Sequence, residues 1–326
     1  MPALINYRQG AVVAESTKVA YVFPGQGAQA AGMGRDLYER FDSARVIFEQ
    51  ADEVLGFPLS RLCFEGPEDE LRQTINAQPA LVATSIACLR AVQETSAGDR
   101  LPPPTFVAGH SLGEYTALAA AGVLDFADVI YLARERGRLM HEAGLKQPGG
   151  MAAIIGLEEA LLAEVCQETN TKIANINCPG QLVISGASDC IARATELARA
   201  RGASRAIPLQ VSGAFHSPLM QPAVDGLSEI IPTLDFQDTI FPIIANTTAQ
   251  PVTLGEEVKA ELLRQLCTSV QWQRSIEYMI DCGVSRFIEI GPGKVLAGLI
   301  RRINRDVEVL NIGDAEAIKS LGSQSP

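Results

Sequence analysis

One segment, residues 105–115 with the sequence TFVAGHSLGEY, most constrains what this chain can fold into. It contains a G-x-S-x-G pattern centred on Ser111, between a short apolar run that predicts a strand and a small-residue run that predicts a buried helix. Gly109 and Gly113 leave room for a sharp turn, which would lift the Ser111 hydroxyl clear of the backbone. Because the spacing alone can arise by chance, the flanking strand and helix carry the prediction. Together they indicate a nucleophilic serine at the end of a buried strand.

Short apolar runs alternate with longer helical patterns along most of the chain. Strands are predicted at 19–23, 106–108 and 287–290, and each is followed by a glycine-containing loop and then a helix. This alternation is typical of a parallel sheet with helices packed on it. Loops at the carboxyl ends of such strands gather functional groups. We therefore predict an α/β fold with its site at that edge of the sheet.

Residues 147–210 follow a different order. Their apolar pattern predicts a strand, a helix, two strands, a helix and a strand, which is a ferredoxin-like βαββαβ unit. We expect this small subdomain to be inserted into a larger α/β subdomain formed by residues 1–146 and 211–326.

Charge and cysteine usage exclude several classes of protein. The chain has 38 acidic and 27 basic residues, and its net charge of −11 argues against nucleic acid or an anionic membrane as the main partner. Its seven cysteines are scattered without a C-x-x-C pair, which predicts reduced thiols rather than disulfides or a zinc site. The sequence has no H-E-x-x-H or Asp-rich metal motif, no signal-peptide core and no run near 18 apolar residues. We expect a cytoplasmic protein without a metal site.

Two glycine-rich segments could be interpreted as nucleotide sites. Residues 23–30, FPGQGAQA, satisfy G-x-G-x-x-G/A, but the helical pattern that follows leaves no second strand ending in an acidic residue. Residues 291–294, GPGK, resemble a phosphate loop, but Ile288 and Val295 stand where glycine and a magnesium-binding hydroxyl are required. We therefore reject nucleotide hydrolysis and interpret the first segment as a tight loop that brings Gln26 into the site.

The chain has three histidines, which narrows the choice of a general base. His110 precedes Ser111 and is expected to face away from it, and His141 lies on a charged helix that we expect to be solvated. His216 lies in the loop GAFHSP after a predicted strand, where side chains tend to converge on a site. We therefore predict that His216 activates Ser111.

Four segments in this order resemble the malonyl-CoA:acyl carrier protein transacylases: FPGQG at 23–27, GHSLGEY at 109–115, AFHS at 214–217 and EIGPG at 289–293. The resemblance extends from about Lys18 to Gly313. It includes stand-alone enzymes of fatty acid synthesis and the acyltransferases of polyketide synthases. It implies a hydrolase-like α/β subdomain with the ferredoxin-like insert.

The resemblance also implies catalytic roles for individual residues. Ser111 would be the nucleophile and His216 its base. Gln26 and the backbone amide of Leu112 would form the oxyanion hole. Gln265 would orient the histidine through its backbone carbonyl.

Two further residues concern the substrate. The resemblance implies that Arg136 binds the free carboxylate of malonate, for which a planar guanidinium offers two hydrogen bonds. Phe215 is similar to the residue found in malonyl-selective polyketide acyltransferases. In the implied ping-pong reaction malonyl-CoA acylates Ser111, CoA leaves, and the phosphopantetheine thiol of acyl carrier protein takes the malonyl group. Malonyl-CoA is then a substrate, no cofactor is needed, and we expect a monomer.

Three alternative functions stay open. An acyl-thioester hydrolase on the same fold would be expected to lack an arginine at position 136. An ordinary esterase would use a Ser-Asp-His triad, for which Asp189 has the right order, although the HGGG-type oxyanion motif is absent. A carrier-protein docking module with a dead site would lack the nucleophile or the base, and both are present. Arg136 is therefore the residue that separates a transacylase from a hydrolase.

Overall fold

The computed structural model describes residues 17–95 and 101–323. Within these ranges the strands, β1 to β10 in chain order, are Lys18–Phe23, Phe106–Gly109, Gly149–Ile155, Lys172–Cys178, Gln181–Ala187, Arg205–Pro208, Ile243–Ile244, Pro251–Val252, Val284–Ile290 and Glu308–Ile312. The α-helices, α1 to α14, are Arg35–Arg40, Asp42–Leu55, Leu59–Glu65, Glu68–Arg72, Thr74–Glu94, Gly113–Ala120, Phe126–Lys146, Glu159–Thr169, Ser188–Ala200, Gln221–Ile230, Gly255–Gln265, Trp272–Asp281, Val295–Ile303 and Ala315–Ser323.

The larger sheet has the strand order β10-β9-β1-β2-β7-β8. Its neighbours from β10 to β7 are parallel, and the short edge strand β8 runs antiparallel to β7. β1 lies in the middle and is buried from its second residue onward. Such an unbroken buried apolar run is typical of a parallel strand covered on both faces. The prediction of an α/β fold with a mainly parallel sheet is confirmed.

Helix α5 packs against α2 and α7 in the core beside this sheet. Among the described residues it is the one helix long and apolar enough to cross a membrane, and 83% of its apolar window is buried inside the protein. No unbroken run near 18 apolar residues is present, because polar residues such as Thr84 and Ser85 interrupt it. In the fold these two residues are buried with most of the helix.

A second, antiparallel sheet has the strand order β4-β5-β3-β6. Helices α8 and α9 cover one face and share a separate apolar core with it, which includes Ile154, Leu162 and Ile184. Residues 149–208 thus follow the predicted order of strand, helix, two strands, helix and strand. The other face contributes Asn175, Asn177 and Val183 to a cavity shared with the larger sheet.

The strand ends of the larger sheet bring two loops together. β1 and β2 are neighbours, with Phe23 opposite Gly109, so the loop after each strand begins at the same edge. The glycines of the G-x-S-x-G segment are required here by close packing. A Cβ added at Gly109 would lie 1.8 Å from the carbonyl carbon of Gly113, and one added at Gly113 would lie 2.1 Å from the carbonyl oxygen of Phe23. The start of α6 is therefore pressed against β1 and β2, which fixes Ser111 at the sheet edge.

Candidate active site

Ser111 occupies the sharp turn between β2 and α6. Its φ angle is 51°, in the left-handed region that residues other than glycine rarely adopt. The turn is held by a hydrogen bond of 2.7 Å from the Ser111 amide to Oδ1 of Asn246. The strand, turn and helix expected from the sequence are all present, and the serine side chain lines the cavity.

His216 lies next to Ser111 and lines the same cavity. Its Nε2 atom is 2.7 Å from Oγ of Ser111, and its Nδ1 atom is 2.7 Å from the backbone oxygen of Gln265. Because a carbonyl oxygen only accepts, Nδ1 carries the proton and Nε2 is left to accept the serine proton. The fold thus brings together three residues that are far apart in the sequence, in the arrangement of a nucleophile, a base and a group that orients the base.

The environment of His216 keeps its ring neutral. Burial and, to a lesser degree, the positive charge of Arg136 lower the pKa of His216 from 6.5 to about 3, while the hydrogen bond to Gln265 opposes the shift. The side chain is 4% exposed. At neutral pH the imidazole is therefore able to take a proton from Ser111.

Arg136, in the middle of α7, is a buried cation with neutral partners. It is 1% exposed, and it donates hydrogen bonds of 2.8 Å to the side-chain oxygens of Gln78 and Gln265 and one of 3.2 Å to Oγ of Ser111. Its guanidinium also stacks 5.0 Å from the ring centre of Tyr115. Burial lowers the pKa of Arg136. Within residues 17–95 and 101–323 its Nε atom has no hydrogen-bond partner and no carboxylate pairs with it.

The backbone amides of Leu112 and Gln26 are the candidate donors for an oxyanion next to the serine. Leu112 is the residue that precedes the first turn of α6, and Gln26 lies in the facing loop after β1. Among the described residues, neither amide donates to a protein acceptor. The side chain of Gln26 donates from Nε2 to Oγ1 of Thr74 at 3.1 Å, which leaves one of its two N–H groups, together with the backbone amide, able to donate.

The cavity beside these residues has a volume of about 490 Å³. Ser111, His216, Arg136 and Phe215 are among the residues that line it. The lining also includes loops at the edge of the larger sheet, strands β4 and β5 of the antiparallel sheet, through Asn175, Asn177 and Val183, and helix α13, through Val295, Leu296 and Leu299. A thioester substrate with a long arm could therefore reach the serine between the two sheets.

Two expectations about the other histidines were wrong. His110 lines the same cavity as Ser111 and its Nε2 lies 2.8 Å from Oδ1 of Asn177, because the turn breaks the strand-like alternation of side chains. His141 is half-buried rather than solvated. Asp189 is in the first turn of α9, and the carbonyl of Gln265 takes the position on Nδ1 of His216 that a triad aspartate would need.

Three polar residues of the site were missed by the sequence analysis: Asn246, Glu114 and Gln78. Glu114 was quoted within the GHSLGE segment without a role. Asn246 begins the glycosylation sequon Asn246-Thr247-Thr248, which does not indicate a catalytic role, and Gln78 lies in a segment that carries no motif. Within the described ranges, no group of three or more His, Cys, Asp or Glu residues is arranged to hold a metal ion. The seven cysteines are unpaired.

Comparisons with known proteins agree on one kind of enzyme. A family model described as "Acyl transferase domain" matches residues 20–322. The malonyl CoA-acyl carrier protein transacylase of Bacillus subtilis (strain 168) is 46% identical over 308 residues, which cover 93% of this chain and 96% of the relative. The crystal structure of an acyl-carrier-protein S-malonyltransferase from Bartonella henselae is similar with a TM-score of 0.89 and 43% identity, over 94% of this chain and 99% of that one.

A third solved structure contains a partner. It is a malonyl-transacylase in complex with the holo form of a type II polyketide synthase acyl-carrier protein. This chain is similar to it with a TM-score of 0.89 and 38% identity, over 94% of this chain and 99% of that one.

Proposed function

This chain belongs to the malonyl-CoA:acyl carrier protein transacylase family of acyl transferases, and from that premise we propose that it transfers the malonyl group from malonyl-CoA to the phosphopantetheine thiol of an acyl carrier protein. One observation supports this substrate above the others. It is the buried guanidinium of Arg136, which has neutral partners and lies 3.2 Å from Oγ of Ser111.

A buried charge that no carboxylate contacts directly is costly, and a contacting partner of opposite charge relieves much of that cost. An acyl group with a free carboxylate would supply a negative charge in direct contact and accept charge-assisted hydrogen bonds from the guanidinium. An acetyl group would leave Arg136 as it is. The position of Arg136 therefore supports malonyl-CoA as the donor and argues against a hydrolase for uncharged acyl groups.

The proposed first half-reaction forms a seryl ester. His216 accepts the proton of Ser111 on Nε2 while Oγ attacks the thioester carbonyl carbon. The backbone amides of Gln26 and Leu112 donate to the carbonyl oxygen as it becomes negative, a contribution worth on the order of a hundredfold to a thousandfold in rate for one donor. When the carbon–sulfur bond breaks, the proton on His216 passes to the CoA sulfur. The malonyl carboxylate stays on Arg136.

The second half-reaction is the reverse with a different thiol. The phosphopantetheine thiol gives its proton to His216 and its sulfur attacks the ester carbonyl. The bond to Oγ then breaks, and Ser111 takes the proton back from His216. Phe215, which is buried against the same cavity, would limit the space beside the malonyl methylene. Because CoA leaves before the carrier protein reacts, ping-pong kinetics are expected.

We extend the proposal to the organisation of the chain. Residues 1–146 and 211–326, of which 1–16, 96–100 and 324–326 lie outside the described ranges, would form a hydrolase-like subdomain. Residues 147–210 would form a ferredoxin-like one, which is supported by the strand order β4-β5-β3-β6 with two helices. We also propose a cytoplasmic monomer that needs no cofactor and binds neither nucleic acid nor membrane. The net charge of −11 supports the last point.

The test follows the malonyl group through both half-reactions. The protein is incubated with malonyl-CoA, its intact mass is measured, and holo acyl carrier protein is then added. We expect a malonyl adduct on the protein that moves to the carrier protein. An adduct that is lost to water at the same rate with and without carrier protein would instead support the thioester hydrolase.

A further inference from the structure

Glu114 is a buried carboxylate that the proposed reaction does not use. It lies in the first turn of α6, three residues after Ser111, and it is 1% exposed. Burial and the nearby charge of Glu261 raise the pKa of Glu114, whereas its hydrogen bonds favour the charged form. Both of its oxygens accept from N–H donors: Oε1 from the amide of Asn246 at 2.8 Å and from its Nδ2 at 3.2 Å, and Oε2 from Nε2 of Gln265 at 2.6 Å. The geometry is that of an ionised carboxylate.

Gln265 connects Glu114 to all three functional groups of the site. Its side-chain oxygen accepts from Nη2 of Arg136 at 2.8 Å, and its Nε2 also donates to the backbone oxygen of Ser111 at 2.8 Å. Its backbone oxygen holds Nδ1 of His216. The position of this one side chain therefore affects the cation that faces the acyl group.

The orientation of the Gln265 amide follows from the chemistry of its neighbours. A side-chain amide has one accepting and one donating end, a carboxylate only accepts, and a guanidinium only donates. The carboxylate of Glu114 therefore requires the NH₂ end of Gln265, which leaves the oxygen end for Arg136. With the amide reversed, an NH₂ group would face the guanidinium and the hydrogen bond to Arg136 would be lost.

We propose that Glu114 is a positioning residue that fixes the side-chain amide of Gln265 and, through it, the guanidinium of Arg136, and so contributes to the selection of an acyl group that carries a carboxylate. This inference rests on the proposed function, since it takes Arg136 as the group that binds that carboxylate. The negative charge of Glu114 also helps to keep Arg136 positively charged, because burial lowers the pKa of Arg136 and the charge of Glu114 partly opposes this shift.

The test is Glu114→Gln, measured as the ratio of kcat/KM for malonyl-CoA to kcat/KM for acetyl-CoA. A glutamine has one accepting end, so it cannot satisfy the donors of both Asn246 and Gln265. We expect the ratio to fall about tenfold to hundredfold, the effect of losing one hydrogen bond to a charged group. Acetyl-CoA serves as the reference because its acyl group has no carboxylate for Arg136. A residue that only supported the fold would lower kcat/KM for malonyl-CoA and for acetyl-CoA by the same factor.

Glu261→Gln is the matched control. Glu261 is also 1% exposed, but it accepts from the amide and the hydroxyl of Thr247 and has no hydrogen bond to Gln265 or Arg136. Its removal takes away a charge that raises the pKa of Glu114, so it favours the ionised form of Glu114 and should not lower the ratio.

Gln265→Met keeps the backbone carbonyl for His216 and removes the same bridge from its other end. It should lower the ratio in the same way, and an unchanged ratio in folded Gln265→Met would overturn the inference even if Glu114→Gln does not fold, as judged by thermal unfolding. An unchanged ratio in folded Glu114→Gln overturns the inference. Absence of malonyl transfer in the wild type would instead overturn the proposed function, so the two failures are distinguishable.

Discussion

Nη2 of Arg136 donates a hydrogen bond of 3.2 Å to Oγ of Ser111. The cation therefore lies directly beside the proposed nucleophile, and a short acyl group can contact both. In a malonyl group a single methylene separates the carboxylate from the thioester carbonyl carbon, which suits this close spacing. Each further methylene would move the carbonyl away from Oγ or force the chain to fold back. The pair Arg136 and Ser111 thus favours the charge and also the length of the malonyl group.

Replacing Arg136 by alanine should invert the preference for malonyl-CoA over acetyl-CoA. The malonyl carboxylate would lose its partner in a desolvated pocket, a loss of about 2–5 kcal/mol by comparison with truncated buried charge pairs. Acetyl transfer should be kept or increased, because Ser111 and His216 are untouched. The measurement is kcat/KM for both donors.

The control for this prediction is Arg138→Ala. Arg138 lies on the same helix but pairs with Glu135 and Glu142 at the surface, where ion pairs contribute little. It should keep the wild-type preference. A preference that survives in Arg136→Ala would mean that the carboxylate is bound elsewhere.

The covalent intermediate predicts different results for the two members of the Ser111–His216 pair. Ser111→Ala should give no malonyl adduct at any time, because the attacking oxygen is gone. His216→Ala should give an adduct that forms more slowly by about two to four orders of magnitude, the usual contribution of a general base. Time-resolved intact-protein mass spectrometry measures both. An adduct on Ser111→Ala would place the nucleophile at another residue.

The sequence predicted those parts of the site that depend on local geometry. The turn at Ser111 was predicted from the two glycines of its motif, which the close packing of β1, β2 and α6 requires. His216, 105 residues away, was found because the chain has so few histidines. Arg136 differs from other helical arginines only in its burial against α5, and no local sequence pattern predicts that burial. It was identified from the resemblance to the family.

Other residues were missed because their partners are distant in the chain. Glu114 and Asn246 are 132 residues apart, and no sequence pattern indicates that they form a hydrogen bond. The side chain of His110 was expected to face away from Ser111 at the turn, whereas it lines the same cavity and contacts Asn177. Burial and long-range polar contacts are properties of the folded chain, so pattern analysis could not supply them.

The close packing of α6 against β1 predicts that Gly113→Ala is strongly destabilising. Its Cβ would lie 2.1 Å from the carbonyl oxygen of Phe23, so backbone must shift, at a cost of about 1–3 kcal/mol or more. Gly298→Ala, in α13, is the matched control because an added Cβ there meets no atom within 4 Å. It should raise the free energy of unfolding by about 0.4–1 kcal/mol. Denaturant unfolding compares the two, and equal stabilities would contradict the close contact.

The low pKa of His216 predicts an unusual pH profile for acylation. Since burial and the charge of Arg136 lower that pKa from 6.5 to about 3, the base form persists well below the ordinary value. The constant kcat/KM, which reports the free enzyme, should therefore show no loss centred at pH 6.5.

The free energy of unfolding should also depend on pH through His216. Above pH 6.5 the ring is neutral in both states, and from there towards pH 3 the unfolded chain binds a proton that the folded chain does not, so the free energy of unfolding should decrease.

Removing the charge of Arg136 should move this profile in a known direction. In Arg136→Ala a positive charge that disfavours the imidazolium is gone, so the pKa of His216 should rise towards 6.5 without reaching it, because burial remains the larger cause. Acetyl-CoA is the appropriate donor, since it reacts without Arg136 and carries no titrating carboxylate. The acid limb of kcat/KM for acetyl-CoA should lie at higher pH in Arg136→Ala than in the wild type, and Arg138→Ala should leave it in place. A limb that does not move would mean that Arg136 does not act electrostatically on His216, and its role would then be limited to binding the carboxylate.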